Sequence, residues 1–385
     1  MPFIVSAILF FVGAYLLTFL IIPKIIGLVE YKKLMDEPNI RSSHVKVTPT
    51  LGGIAFFYSI ILALFFLKDW GKFNESIYLV PGLTILFITG LKDDLVVLSP
   101  FSKLLAQLVA IAFILSNASF TIYSLNGFFG IYEIPIYVFY TIGAFMMLTI
   151  INAYNLIDGI DGLAAIVGIV ILIIYTTIFY MTKEYFYALI SLTLNGCLMA
   201  FLRYNLSDEK KIFMGDTGSL IVGYIISILT LKFLALSPNS LKDLPFALEN
   251  VPLIAISILI VPLFDTARVF TIRVANKRSP FSSDRNHTHH ILIDYFNLSH
   301  RQASFIIGGF NLIFVYLIII LGSTSYNFWL LTVLVITAVL LAYFFYRFNY
   351  SFSNLKRKIR FKRWVDSTKK GLKKNLKKSQ TQKKK

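Results

Sequence analysis

The chain is poor in cysteine and in charge, and each shortage excludes a class of protein. A single cysteine, Cys197, rules out an intramolecular disulfide and a cysteine-ligated metal centre. Charged residues make up only 15% of the 385 residues and hydrophobic residues 57%, whereas a soluble globular chain is about a quarter charged. The composition therefore excludes a disordered protein and argues against a set of soluble domains.

The net charge of +17 comes almost entirely from one end of the chain. Residues 347–385 hold 16 of the 37 lysines and arginines and one acid, Asp366. We therefore predict two parts, a membrane-embedded domain over residues 1–346 and a basic cytoplasmic tail over residues 347–385. The tail is expected to be disordered or interfacial and to bind anionic membrane lipids rather than nucleic acid.

Long apolar runs determine the predicted fold class. A helix needs ~20 mostly apolar residues to cross a bilayer, and eleven segments approach that length, the third and fourth being the shortest. The sequence therefore predicts an all-α polytopic integral membrane protein with about eleven transmembrane helices. The segments are 3–22, 51–67, 77–91, 103–118, 136–151, 163–181, 186–202, 218–236, 251–270, 303–321 and 328–346.

The distribution of lysine and arginine between these segments indicates their direction. With the N-terminus outside, 32 of these residues fall on the inner side and 5 on the outer side. Because cationic residues favour the cytoplasmic side, we predict an N-out, C-in orientation.

Two local signals modify the bundle. Asn126-Gly127 lies between apolar stretches and suits a type I′ turn, which predicts a small external β-hairpin, with an ordinary ordered loop as the alternative. Pro252 and Pro262 lie inside the ninth segment and are expected to kink or break it.

The ionisable residues near the membrane fall on the predicted inner side. Such residues are costly at membrane depth and indicate function. Their origin in separate inner loops predicts one pocket open to the cytoplasm. The candidates are Arg41, His44, Asp93, Asp94, Lys103, Asn155, Asp158, Asp161, Asp216, Asp265, Arg273, His287, His289 and His290.

Acidic motifs in these loops suggest a bound cation. The neighbours Asp93 and Asp94 point about 100° apart on a helix, which favours two different roles, although a solvated loop is the alternative. Asn155, Asp158 and Asp161 would share a face if helical. Their loop contains no basic residue of its own, so a divalent ion would compensate it; N-capping of the next span is the alternative.

The remaining motifs are consistent with phosphate chemistry. Asp216 precedes an apolar run, where it would cap a helix, position a metal, or do both beside a phosphate-binding N-terminus. The histidines at 287, 289 and 290 are compatible with zinc, but the other donors are oxygens, which suit Mg²⁺. Arginine and histidine then act as phosphate clamps. The Gly52-Gly53 pair permits close helix packing.

Five motifs together resemble the polyprenyl-phosphate N-acetylhexosamine-1-phosphate transferases, the family that includes the WecA and TagO enzymes and the MraY translocase. The resemblance covers roughly residues 1–346. The His-Thr-His-His order is similar to the WecA/TagO branch, since the MraY branch has three consecutive histidines. The motifs are DEPNIRSSH…TPTLGG (36–53), GLKDDL…K (90–103), NAYNLIDGIDGLA (152–164), FMGDTGSL (213–220) and SPFSSDRNHTHH (279–290).

The resemblance implies a reaction and its location. N-acetylglucosamine 1-phosphate would pass from UDP-GlcNAc to undecaprenyl phosphate, with release of UMP and a requirement for Mg²⁺, for which Mn²⁺ is a substitute. This would be the first membrane step of a cell-envelope glycan, such as lipopolysaccharide, O-antigen or teichoic acid, at the cytoplasmic face of a bacterial inner membrane. Another UDP-N-acetylhexosamine or UDP-MurNAc-pentapeptide is the alternative donor, and a homodimer is compatible with the family.

The resemblance also implies residue roles. Asp93, Asp94, Asp158, Asp161 and His287 would be catalytic, and one member of the aspartate pair would orient or deprotonate the lipid phosphate. Asp216 would ligate the metal with Asp94 and Asn155. Both direct transfer and a covalent aspartyl intermediate are compatible with these residues. The substrate-binding residues would be Arg41, His44, Lys103, Asn155, Phe213 (stacked on uracil), Arg273, His289 and His290.

Two readings without this chemistry remain. An ion-coupled transporter would need acids near the membrane midplane, reachable from each side in turn. A non-catalytic lipid-binding or scaffolding protein would need only the basic tail.

Overall fold

The computed structural model describes residues 2–32, 35–36, 48–67, 73–279, 287–324 and 327–347. Within these ranges two short strands, Met35–Asp36 (β1) and Thr48–Pro49 (β2), pair in antiparallel register. All other regular secondary structure in these ranges is helical. The helices are α1 (Phe3–Lys32), α2 (Gly53–Phe66), α3 (Phe73–Leu95), α4 (Pro100–Leu115), α5 (Ile136–Ile157), α6 (Leu163–Met181), α7 (Tyr185–Asn205), α8 (Gly215–Leu234), α9 (Pro238–Leu241), α10 (Val251–Ile258), α11 (Ile260–Ala275), α12 (Thr288–Phe296), α13 (His300–Leu321) and α14 (Asn327–Arg347).

The helices confirm an all-α polytopic membrane protein. In the described part of the chain, eight helices are long and apolar enough to cross a membrane, and α10 with α11 forms a ninth as a bent pair. Helices α2 and α4 are apolar but shorter, with 14 and 16 residues. Each of the eleven predicted segments lies on one of these elements. The number of crossings and their direction stay predictions.

Helix α8 forms the centre of the bundle. It is apolar on all sides, and 94% of its most apolar window is buried, against 17% for α1 and α14 at the periphery. A helix without a polar face is stable only when other helices enclose it, and α8 packs against α2, α3 and α5. The N-terminal residues of α8 are therefore held by the best-packed part of the molecule.

Glycines allow α2 and α3 to touch the first turn of α8. A Cβ added to Gly53 would lie 2.1 Å from the backbone nitrogen of Gly218, and one added to Gly90 would lie 2.5 Å from Cα of Thr217. No side chain fits at such distances, so both helices approach the α8 backbone only because these positions are glycine. The close packing predicted for the Gly52-Gly53 pair is confirmed.

We expect Gly53→Ala to destabilise the protein by about 1–3 kcal/mol or more, the usual cost of overpacking. The added methyl group would meet backbone atoms, which cannot rotate away. Gly13→Ala is the matched control, because nothing lies within 4 Å of a Cβ there and alanine is the better helix former. Thermal unfolding in detergent measures both, and a Gly53→Ala protein as stable as Gly13→Ala would contradict this packing.

The ninth predicted segment is broken as expected. Helices α10 and α11 meet at Leu259 with a bend of 67°. Pro262 lies in the first turn of α11 and has no N–H to donate to the carbonyl four residues earlier, at Ile258. Pro252 lies in the first turn of α10, where that loss has no consequence. The prediction of a kink is confirmed, and Pro262 explains it.

The predicted external β-hairpin is wrong, although its turn is present. Asn126 and Gly127 both have positive φ, and the N–H of Phe128 donates to Leu125 O at 3.0 Å. A second turn with positive φ at residues 129 and 130 follows at once. The chain therefore reverses again before a ladder can extend, and residues 121–135 contain one isolated bridge, between Phe128 and Ile131.

Candidate active site

The floor of the site is a backbone junction between two distant motifs. The N–H of Phe213 donates to Pro49 O at 2.8 Å, and the N–H of Gly52 donates to Phe213 O at 3.0 Å. The N–H of Gly53 donates to Met214 O at 3.1 Å. The TPTLGG stretch and the FMGD stretch are thus fixed against each other, immediately before Gly215 turns into α8 with a φ of +70°.

Asp94 caps the N-terminus of α8. Its Oδ1 accepts a hydrogen bond from the N–H of Asp216 at 2.7 Å, and its Oδ2 accepts from the N–H and the hydroxyl of Thr217 at 3.0 and 2.6 Å. A carboxylate at this point satisfies free backbone donors and meets the positive end of the helix dipole. The cap expected from Asp216 itself is therefore wrong, because the cap comes from Asp94 on α3.

Asp93, Lys103 and Asp216 form an ionic cluster beside this cap. The Lys103 ammonium group contacts the Asp93 carboxylate and lies 2.6 Å from Asp216 Oδ2. Asp93 also accepts a hydrogen bond from the N–H of Leu98 at 2.6 Å. The side chains of Lys103 and Asp216 are 27% and 28% exposed, so the cluster is open to a ligand.

Asn155 fixes the other oxygen of Asp216. Its amide nitrogen donates to Asp216 Oδ1 at 2.9 Å and to Ser219 Oγ at 2.7 Å. The Ser219 hydroxyl donates its own proton to Gly215 O, so its oxygen accepts from Asn155. This determines which side of the Asn155 amide carries the NH₂ group. Residues from α3, α4, α5 and α8 therefore converge on Asp216.

The loop after α5 separates two acids that the sequence placed on one face. Helix α5 ends at Ile157, and the chain turns away through Gly162, with a φ of +82°. Asp161 pairs with Lys211 at 2.6 Å and with His300 at 2.9 Å. The shared helical face expected for Asn155, Asp158 and Asp161 is wrong, because the helix has ended before Asp161.

The pKa values of the two loop acids move in opposite directions. Burial, together with repulsion from Asp216 and Asp94, raises the pKa of Asp158 to about 7. For Asp161, hydrogen bonds from His300 and Lys211 outweigh burial and lower the pKa. Asp158 therefore faces negative charge that is only partly offset, whereas Asp161 is neutralised within the loop.

The histidine motif joins the site through Asp265 on α11. Asp265 Oδ2 lies 2.6 Å from His287 Nδ1, and its Oδ1 accepts from the N–H and the hydroxyl of Thr288 at 2.7 and 2.6 Å. The ring of His289 stacks on that of His287, with centroids 5.5 Å apart. A Cβ on Gly159 would lie 2.5 Å from His289 Nε2, so the histidines adjoin the loop that carries Asp158.

His289 lies in surroundings that favour a neutral ring. It is 2% exposed, and burial with the neighbouring His290 lowers its pKa well below the ordinary value. A neutral, buried imidazole does not suit the cationic phosphate clamp predicted for it. The contacts that the structure shows for this ring are with Gly159 and with the rings of His287 and His290.

Other candidates are dispersed or lie outside the described residues. Arg273 is buried at the end of α11, with its guanidinium 5.9 Å from the ring of Phe270. Phe213 is half-buried, and the Lys211 ammonium lies 5.4 Å from its ring centroid. Arg41, His44 and residues 280–286 lie outside the described residues.

Four side chains have contacts in the site that the sequence did not assign. Thr217 and Thr288 donate to the carboxylates of Asp94 and Asp265, and Lys211 and His300 bind Asp161. Asp265 is among the inner polar residues that the sequence analysis selected. Neither Asp265 nor His300 has a sequence neighbour that reveals its partner, so no local signal was available.

An apolar multi-pass bundle with acids, a lysine and histidines gathered at one end of its helices is typical of a membrane-embedded enzyme. The acids lie at helix ends and not at mid-span, which is unlike the transporter arrangement. Residues 76–234 match the sequence model described as glycosyl transferase family 4.

Curated relatives identify the family. A Bacillus subtilis (strain 168) protein, named a probable undecaprenyl-phosphate N-acetylglucosaminyl 1-phosphate transferase, is 32% identical over 314 residues, or 80% of this chain and 84% of the relative. Undecaprenyl-phosphate alpha-N-acetylglucosaminyl 1-phosphate transferases of Salmonella typhi and Escherichia coli (strain K12) are 29% and 27% identical over 264 residues, or 68% of this chain and 69% of each relative. The chain belongs to the polyprenyl-phosphate N-acetylhexosamine-1-phosphate transferase family, and it is a membrane phosphotransferase.

Proposed function

We propose that this enzyme transfers N-acetylglucosamine 1-phosphate from UDP-GlcNAc to undecaprenyl phosphate. The names of the relatives support both substrates. A phosphate oxygen of the lipid forms a bond to the sugar-bearing phosphorus, and the bond from that phosphorus to the bridging oxygen breaks. UMP leaves with the bridging oxygen. The product is a lipid-linked sugar diphosphate that starts a cell-envelope glycan.

The observation that carries this proposal is the convergence of Asp93, Lys103 and Asp216 at one partly exposed point. Two anionic substrates must approach each other here, so the site has to offset their repulsion. Lys103 supplies a cation from the first turn of α4. Asp93 and Asp216 hold its ammonium group until a phosphate replaces one of these contacts.

The donor set fits Mg²⁺, with Mn²⁺ as a substitute. All the acids offer oxygen ligands, and the pKa of Asp158 is raised by burial and by the negative charge of Asp216 and Asp94, which a cation would offset. Within the described ranges, no three His, Cys, Asp or Glu side chains converge on one ion. This agrees with Mg²⁺, which often takes one or two carboxylates and completes its shell with substrate phosphates and water. Bound Mg²⁺ would neutralise charge on the donor diphosphate.

The geometry supports distinct roles for the candidate residues. Asp216 would be the main metal ligand, because its side chain is partly exposed and both of its oxygens are anchored. Asp94 and Asn155 would position it, since each is committed to the start of α8. Both oxygens of Asp94 accept hydrogen bonds from α8, which favours direct transfer over attack by this carboxylate. Phe213 is assigned to the uracil, on the resemblance.

We place the site on the cytoplasmic side of a bacterial inner membrane, in an N-out, C-in chain of eleven spans. The excess of lysine and arginine on that side supports the direction. Asp93, Asp94, Asp158 and Asp216 lie at the same end of α3, α5 and α8, so one orientation serves all of them. The UDP-sugar would then enter from the cytosol and the lipid from the bilayer.

Purified protein in nanodiscs with radiolabelled UDP-GlcNAc, undecaprenyl phosphate and Mg²⁺ tests the reaction. We expect labelled lipid and one UMP for each sugar transferred. EDTA should abolish transfer, and added Mg²⁺ should restore it. Labelled lipid formed at the wild-type rate in EDTA would contradict the metal assignment, and absence of labelled lipid under every condition would contradict the function.

Competition identifies the donor. Unlabelled UDP-GlcNAc should suppress labelling at far lower concentration than unlabelled UDP-GalNAc or UDP-MurNAc-pentapeptide. Omission of the lipid is the control, because any UMP then released reports hydrolysis and not transfer. Stronger suppression by UDP-MurNAc-pentapeptide would reassign the enzyme to that donor.

A further inference from the structure

Asp265 and His287 form a buried pair between α11 and the start of α12. The side chains of His287 and Asp265 are 9% and 5% exposed, and Nδ1 and Oδ2 are 2.6 Å apart. A carboxylate has no proton to give unless it is itself protonated, and Thr288 already donates twice to the other oxygen. Nδ1 of His287 is therefore the donor.

This bond decides which histidine nitrogen can reach a substrate. With Nδ1 protonated and committed to Asp265, Nε2 is the nitrogen left to act outside the pair. Stacking on His289 fixes the plane of the ring, and His289 touches Gly159, next to Asp158. His287 is thus held in one orientation and one tautomer, stacked on the ring that adjoins the loop of Asp158.

The geometry points to Asp265 as a positioning residue of the transfer reaction, which holds His287 with Nδ1 protonated so that Nε2 faces the diphosphate of the donor. This inference rests on the proposed function. Asp265 touches no substrate in this arrangement and acts through the imidazole. Loss of a residue that orients a functional histidine typically lowers activity about tenfold to hundredfold, and lowers it further when the histidine changes tautomer.

The variant Asp265→Asn tests the tautomer directly. The backbone N–H of Thr288 is a fixed donor, so the amide oxygen of asparagine must face it. The amide NH₂ group then faces His287 Nδ1, which becomes the acceptor, and the proton moves to Nε2. We expect kcat to fall at least about thirtyfold with little change in KM for UDP-GlcNAc.

Thr288→Val is the matched control. It removes one hydrogen bond to Asp265 Oδ1 and leaves the bond to His287 intact, so we expect only a few-fold loss. The double variant Asp265→Asn with His287→Ala should be no worse than His287→Ala alone, because Asp265 acts through that ring. Losses that multiply in the double variant, or an Asp265→Asn loss no larger than that of Thr288→Val, would overturn the assignment.

An activity-independent measurement separates this inference from the proposed function. The chain has five histidines, so ¹⁵N spectra of histidine-labelled protein, with His287→Ala for assignment, report the protonated nitrogen of His287. We expect Nδ1 in the wild type and Nε2 in Asp265→Asn. A wild-type protein with this signature but without transfer would reject the function and keep the pair, whereas a proton on Nε2 alone in the wild type would reject the pair.

Discussion

Asp216→Asn should lower transfer by about a thousandfold or more while the protein keeps its fold. The substitution removes the charge that faces Lys103 and the site assigned to Mg²⁺, where electrostatic contributions are largest. Asparagine preserves the volume and retains one oxygen for Asn155. The measurement is the initial rate of lipid-linked sugar formation at saturating UDP-GlcNAc, with thermal unfolding recorded on the same samples.

Asp243→Asn is the control for this prediction. It makes the same chemical change at an exposed position in the turn after α9, beyond the end of α8 opposite to Asp216. It should retain wild-type activity. An Asp216→Asn enzyme that keeps more than about a tenth of the wild-type rate would remove Asp216 from the centre of the site, and with it the convergence on which the proposed function depends.

Asp94→Asn should cost both activity and stability. The asparagine amide has one acceptor, so at least one of the two backbone N–H groups at the start of α8 loses its partner, and its NH₂ group meets a donor. A buried donor left unpaired costs ~1–3 kcal/mol, and loss of the charge at the helix terminus adds to this. We expect the free energy of unfolding to fall by roughly 2–4 kcal/mol in total, and activity to fall by at least about a hundredfold.

Asp93→Asn separates the two effects. Asp93 contacts Lys103, the side chain of Asp216 and a single backbone N–H, that of Leu98, and in the described contacts it accepts no hydrogen bond from the backbone of α8. It should lose activity with a smaller decrease in thermal stability than Asp94→Asn. Equal decreases in stability for the two variants, measured by unfolding in detergent, would contradict the assignment of Asp94 as the cap of α8.

The sequence was most informative where one physical constraint dominates. All eleven apolar segments became helices because a chain in hydrocarbon must satisfy its backbone internally. Pro262 broke its span because proline has no N–H to donate. The Asn126-Gly127 turn formed for a local reason as well. The hairpin did not form, because a second turn follows at Phe129 and Gly130, and the sequence analysis did not predict that turn.

The site was only partly predictable for the opposite reason. The inner location of the acids was visible, yet the bond from Asp94 to Thr217 spans 123 positions and the pair of Asp265 with His287 spans 22. Periodicity and capping rules describe neighbours along one helix, so they assigned the start of α8 to its own residues. Asp158 and Asp161 were separated from Asn155 by a helix end whose exact residue depends on tertiary contacts.

The 67° bend at Leu259 has a mechanical consequence. The start of α8 is held by backbone contacts on two sides and has no room to shift, whereas α11 begins at a break in the hydrogen-bond ladder. A small rotation of α11 at this break would move Asp265. It would also move the start of α12, because three hydrogen bonds join His287 and Thr288 to Asp265. The carboxylates at the start of α8 are thus held by backbone contacts, whereas the position of the His287 imidazole depends on the direction of α11.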